Sequence, residues 1–165
     1  MRQSNKYSEK ISRNITMYEA TKSWTAIKEG IDNTPNEDQL RNMKLLAENV
    51  FEPLRLGLGN HPINISIFFR GDELNKVIPN ASKTSQHMAK KGAAVDIDVD
   101  TSNILYNYQI FNYIKDNLEF DQLIWEHGDK LNPDWVHVSY NQVNNRKLIL
   151  IAYKGNGKTE YKTYS

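Results

Sequence analysis

Between Ala94 and Asp100 the chain alternates without a break, with Val95, Ile97 and Val99 apolar and Asp96, Asp98 and Asp100 acidic. Successive side chains of a strand point to opposite faces, so this stretch reads as a strand with one apolar and one carboxylate face. The apolar face commits the fold to a sheet covered on one side. The acidic face is the chemical question, because a carboxylate among buried strand residues is costly unless it has a partner.

The rest of the chain supplies what such a sheet needs. Ile63, Ile65, Ile67 and Phe69 mark a second strand. Phe120 to Glu126 and Trp135 to Tyr140 predict two more around a loop with Gly128 and Pro133, and Lys147 to Tyr153 another. Leu40, Met43, Leu46, Ala47, Val50, Phe51 and Leu54 recur at helical spacing, so 36–56 reads as one amphipathic helix. Thr34 is a candidate cap for it, Pro35 suits the first position, and Pro53 should disturb the last turn. Asp72 to Val77 is a short helix candidate. A longer helix carries Ile104, Tyr108, Phe111, Ile114 and Leu118. The expected class is α+β, a mostly antiparallel sheet with helices packed on it. Residues 1–16 read as a flexible N-terminal segment, 17–154 as a single domain and 155–165 as a polar tail.

Composition narrows the function by exclusion. A net charge of +1 gives no pull toward nucleic acid or anionic lipid. The sequence has no cysteine, which removes disulfides, thiolate nucleophiles and cysteine zinc sites together. Any metal must be held by His and carboxylates. No apolar run approaches the roughly 20 residues that span a bilayer. The opening Met1 to Lys10 lacks the apolar core of a secretory signal. The expectation is a protein made in the cytoplasm, with another agent releasing it if its target lies outside.

Three pieces set polar residues beside apolar ones: Ser85-Gln86-His87, Ala94-Val95-Asp96-Ile97, and Asp134-Trp135-Val136-His137-Val138-Ser139. A catalytic zinc takes three His or Asp/Glu ligands and leaves a position for water, whose pKa falls from about 15.7 to roughly 7. From spacing alone, the trio reads more readily as a satisfied core His87, a capping Asp96 and a partly buried His137.

As a set, these motifs resemble the zinc D-Ala-D-Ala carboxypeptidase and L-Ala-D-Glu endopeptidase family, which includes phage endolysins and shares a fold with the hedgehog signalling domain. The pattern S-x-H, a glycine turn, A-x-D-I and W-x-H-x-S appears as Ser85-Gln86-His87, Gly92, Ala94 to Ile97 and Trp135 to Ser139. Phe69-Arg70 with Leu74-Asn75, and Gly30 to Pro35 ahead of the long helix, also match. The resemblance runs from about residue 20 to 140. It implies a hedgehog/DD-peptidase-like fold with Zn2+ held by His87, Asp96 and His137. It implies Arg70 and Ser85 as substrate-binding residues, with Arg70 the anchor for a substrate carboxylate, a task suited to its planar fork.

Two departures stand out. Four residues, Met88 to Lys91, separate His87 from Gly92 where the family has two. Ile67-Phe68-Phe69 replaces a smaller stretch before Arg70. Asp98 shares the face of Asp96 and is the alternative ligand if the register slips. Peptide hydrolysis also needs a carboxylate to relay a proton. Asp134 and Glu126 are both candidates. Positions 134 and 137 face opposite sides of a regular strand, so Asp134 reaches the metal only from the turn before it. His127 is a further candidate near the cleft. Trp125, Trp135 and Tyr140 serve either groove or core.

The implied activity is hydrolysis of a peptide bond in bacterial peptidoglycan, of carboxypeptidase or endopeptidase type. The expected protein is a monomer, released for host lysis or carried in a virion. The alternative is a non-catalytic, zinc-containing wall-binding or virion structural module of the same fold.

Overall fold

The computed structural model describes residues 9–99 and 104–165. The chain opens with a small hairpin, β1 (Lys10–Ser12) and β2 (Ile15–Thr16), followed by α1 (Met17–Thr21) and α2 (Trp24–Glu29). The segment read as flexible is therefore ordered from residue 9, and residues 1–8 lie outside the described residues. The hairpin holds because Ile11 and Ile15 are buried in the core. In addition, Ser12 Oγ, Asn14 N and Asn14 Nδ2 all donate to the Glu52 carboxylate at 2.6–2.8 Å.

The long helix is three pieces in one line: α3 (Glu37–Leu46), a π-helical turn over Ala47–Phe51, and α4 (Glu52–Gly57). Its cap is Asn36, whose side chain accepts from Gln39 N, rather than Thr34, whose hydroxyl bonds Asp32 instead. Pro53 has no N–H and would crowd the carbonyl one turn back. The wider π turn before it gives that room, so the disturbance falls N-terminal to the proline.

The main sheet uses β3 (Ile63–Ile67), β4 (Ala93–Val99), β5 (Gln122–Glu126), β6 (Trp135–Tyr140), β7 (Leu148–Gly155) and β8 (Lys158–Thr163), in the order β3-β4-β6-β5-β7-β8. Every pairing is antiparallel except β5 with β7, which is parallel. Between them lie α5 (Asp72–Val77), a 3-10 turn at Gln86–Met88, and α6 (Asn107–Asn117). The class is α+β, as expected. The acidic strand β4 is interior, flanked by β3 and β6. One reading needs correction. The polar residues after Gly155 form β8 of the same sheet, so the fold runs past the expected end of the domain at 154. Asp100 lies outside the described residues.

Register divides the sheet into two faces. Val95, Ile97, Val136, Val138, Leu123 and Trp125 sit on one face, buried in a core with Leu46, Val50, Phe51 and Leu54 of the long helix and Ile110, Phe111 and Ile114 of α6. The opposite face presents Asp96, His137, Ile124 and Glu126. Among the described residues no helix is long and apolar enough to cross a membrane.

Candidate metal centre

Asp96 and His137 are direct cross-strand partners, which puts both side chains on the same face of adjacent strands. His87 arrives from outside the sheet on the 3-10 turn. Its backbone O accepts from Arg70 N at 3.0 Å, which fastens the turn to the segment carrying the arginine. All three side chains are buried: His87 is 5% exposed, Asp96 8% and His137 9%. The two imidazole rings meet edge to face at 5.1 Å.

The tautomer of His87 is set by its surroundings. Its Nδ1 lies 3.1 Å from the carbonyl O of Phe68, which can only accept, so Nδ1 carries the hydrogen. Nε2 of the neutral ring then turns its lone pair toward Asp96 Oδ1, 3.4 Å away. A lone pair facing an anion needs a cation or a proton between them. His137 Nδ1 stands 2.8 Å from the same oxygen. The three ligand atoms all fall within 4.8 Å of one another. Ligands of a tetrahedral zinc, each about 2.0–2.2 Å from the ion, are roughly 3.3–3.5 Å apart. Two nitrogens and one carboxylate oxygen, buried, with one tautomer fixed by a second partner, fit such an ion. The imidazoles hold the Asp96 carboxyl well below the usual range despite its burial. Asp98, the alternative ligand, accepts from Asn64 Nδ2 at 2.9 Å toward the β3 edge and is not part of the cluster.

The two candidate carboxylates stand in different surroundings. Glu126 pairs with Trp135 across the β5–β6 hairpin, on the face of His137. It is 7% exposed. Burial, then the Asp96 charge, pushes its carboxyl up to about 7, with His87 opposing. Asp134 precedes the strand. It stands in the turn, outside the regular alternation of the strand, and it is exposed. Its backbone is tied down, N–H to Glu126 O at 2.9 Å and C=O to Asn107 Nδ2 at 2.8 Å. Gly128, in the left-handed region at φ +67, allows this close turn, since a Cβ there would lie 2.2 Å from Asn132 O. His127 Nε2 lies 4.0 Å from Glu126 Oε2, and its ring sits 5.4 Å from that of Trp135. Trp125 and Tyr140 belong to the core, and Trp135 to the site face.

Arg70 is half-buried, and its Nη2 donates to Ser85 Oγ at 3.0 Å. Its Nε is buried and has no hydrogen-bond partner among the described residues, an unused donor on a fork that suits a carboxylate. The segment is held by Asn33, which donates to Thr21 O and Phe69 O and accepts from Gly71 N. A cleft of about 480 Å³ opens beside Arg70, lined in part by Trp24, Ile67 and Phe69. The two extra residues after His87 are absorbed by a turn pinned to α3, since Gln39 Nε2 donates to Met88 O and Asn42 Nδ2 to Ala89 O. Gly92 must be glycine there, with φ +89 and a Cβ that would stand 2.4 Å from Tyr140 O.

Sequence reasoning missed Asp121. Its carboxylate receives Arg146 Nε and Nη2 at 2.7 Å each and Gln86 Nε2 at 2.8 Å. It therefore fastens the residue next to His87 to the sheet. Hydrogen bonds from Arg146 are the main reason its carboxyl sits below the ordinary value. The available signal was an acid inside the apolar run Phe120 to Trp125. Asp121→Ala is expected to cost about 2–3 kcal/mol, less than a fully buried pair because Arg146 is half-exposed. In thermal unfolding, that is a Tm drop of roughly 5–10 °C. The lowered carboxyl contributes stability above its unfolded pKa that is lost as pH falls through the folded value. The wild-type advantage over Asp121→Ala must therefore shrink in acid. An advantage independent of pH would contradict the clamp.

No curated protein matches the chain significantly. The peptidase M15 family, by contrast, matches residues 13–139, a stretch holding His87, Asp96, Glu126 and His137, and the chain belongs to that family of zinc-dependent, D-Ala-D-Ala carboxypeptidase-like peptidases.

Proposed function

We propose that this chain hydrolyses a peptide bond in the stem peptides of bacterial peptidoglycan, as a wall-lysing enzyme of the phage endolysin type. The observation that carries this reading is the buried Glu126, set on the same sheet face as the His87, Asp96 and His137 cluster and within reach of its charge.

His87, Asp96 and His137 would hold zinc. When bound, zinc supplies a Lewis acid that polarises the scissile carbonyl and makes water acidic enough to attack near neutral pH. Glu126 takes the proton from the attacking water and delivers it to the leaving amine, the work of a carboxyl poised near the operating pH. The Arg70 fork, oriented by Ser85 and by its backbone bond to His87, receives a stem-peptide carboxylate. The tautomer fixed by the Phe68 carbonyl keeps His87 Nε2 available.

Purified cell walls treated with zinc-loaded protein should lose turbidity. Mass spectrometry of the released muropeptides should show a new peptide terminus at one bond. Chelation should stop the reaction and zinc should restore it. Binding of walls without new termini in any of these conditions would overturn the enzymatic reading in favour of a binding module.

A further inference from the structure

We propose that the hydroxyl of Tyr161, on the C-terminal strand β8, borders the reaction site beside Glu126 and donates a hydrogen bond to the scissile carbonyl oxygen as it gains charge. The proposal rests on the peptidase reading above and adds a residue from outside the stretch that matches the family.

The register sets the placement. Trp135 pairs with Glu126, Glu126 with Ala152, and Ala152 with Tyr161. Directly paired residues share a face, so these four form one row on the face that carries Asp96 and His137. Adjacent strands are about 4.8 Å apart, which puts Tyr161 two strands from Glu126. Two spacings make about 9.6 Å between the backbones, a gap that the Tyr161 and Glu126 side chains must close together by leaning over the residue between them. The residue between them is alanine, whose methyl group does not block the crossing. Ala152 is nevertheless only 1% exposed, so it is roofed by its surroundings, and Tyr161 and Glu126 are its flanking neighbours in the row. The parallel insertion of β7 beside β5 creates this row. With β8 elsewhere, the tyrosine would face another part of the surface.

The electrostatics agree with the placement. Burial raises the phenol above its ordinary pKa, and the charges of Glu126 and Asp96 raise it further. The hydroxyl thus lies in the field of the site and stays a neutral donor at neutral pH. Tyr161 is 54% exposed, and among the described residues its hydroxyl has no hydrogen-bond partner. Tyr153, by contrast, spends its hydroxyl on Glu160 at 2.9 Å. A free donor beside the proton-relay carboxyl can serve charge that appears only as the carbonyl becomes tetrahedral.

Tyr161→Phe keeps the ring and removes the donor. In zinc-loaded protein acting on a stem-peptide substrate, kcat should fall about 100-fold, the scale of one lost oxyanion donor, with KM unchanged. Zinc stoichiometry and Tm should stay at wild-type values. Ultraviolet titration of the phenols gives a readout apart from activity. Glu126→Gln should lower the pKa of one tyrosine, and that response should vanish in the double variant with Tyr161→Phe. Unchanged kcat, or a rise in KM alone, overturns the donor role. A phenol titration indifferent to Glu126→Gln overturns the placement. If the zinc-loaded wild type cleaves no stem peptide, the peptidase reading falls and takes this proposal with it. An active wild type with a fully active Tyr161→Phe sinks this proposal alone.

Discussion

Glu126→Gln is expected to lower kcat by about 10²- to 10⁴-fold while leaving bound zinc at wild-type stoichiometry. The substitution keeps the shape of the side chain and removes its ability to carry a proton. Glu126 makes no part of the His87, Asp96 and His137 cluster, so metal retention should be untouched. Asp134→Ala is the matched control, because this residue is exposed and stands outside the cluster. It should keep activity within a few-fold. A severe loss in Asp134→Ala with an active Glu126→Gln would reverse the assignment.

The same carboxyl has a consequence for stability in metal-free protein. Its folded pKa of about 7 lies above the ordinary 4.5. The folded state therefore keeps a proton that the unfolded state releases between these values. Stability must then fall as pH rises through that window, by up to about 3 kcal/mol at 1.36 kcal/mol per unit. Glu126→Gln abolishes the effect, so the metal-free variant should gain on wild type from pH 5 to 8 and match it below pH 4.5. Asp96 acts in the opposite sense, since its lowered carboxyl loses its contribution only as pH falls into strong acid. The two slopes are separable because they occupy different pH ranges. A dication held beside Asp96 would turn repulsion of the Glu126 carboxylate into attraction, and zinc should erase most of the Glu126 slope.

Strand alternation was enough to place Asp96 and His137 on one sheet face, and the S-x-H motif brought His87 to them. Those signals are local. The choice between Glu126 and Asp134 was not local, because it depends on where β6 begins. Pro133 and Gly128 set that start one residue after Asp134, which leaves Asp134 in an exposed turn while Glu126 is buried on the site face. Asp121, Arg146 and Tyr161 were illegible for a different reason. Each matters only because β7 inserts beside β5 in parallel and β8 follows it. A strand as polar and exposed as β8 shows no apolar alternation, so periodicity has nothing to detect there. The π turn before Pro53 was foreseen as a disturbance but not as its remedy. The cap at Asn36 prevailed over Thr34 because Gln39, three residues on, completes a reciprocal pair with it.

His137→Ala is expected to abolish both zinc binding and hydrolysis. The imidazole supplies one of three donor atoms that lie within 4.8 Å of one another, and alanine leaves a two-donor remnant. A ligand that binds only the folded state stabilises it by RT ln(1 + [L]/Kd), about 4 kcal/mol at a thousandfold excess over Kd. For a chain of this size, that corresponds to a Tm gain of roughly 8–16 °C in wild type on adding zinc. His137→Ala and His87→Ala should show no such gain. Asp98→Ala should show all of it, because Asp98 bonds Asn64 and stands outside the cluster. The comparison separates ligation from folding. Without metal, His137→Ala leaves Asp96 buried with only His87 at 3.4 Å, so its starting Tm also falls. The zinc-induced increment, not the absolute Tm, is the quantity that tests ligation. A full increment in His137→Ala would show that the ion sits elsewhere. An increment lost in Asp98→Ala would show that the acidic strand uses its second carboxylate.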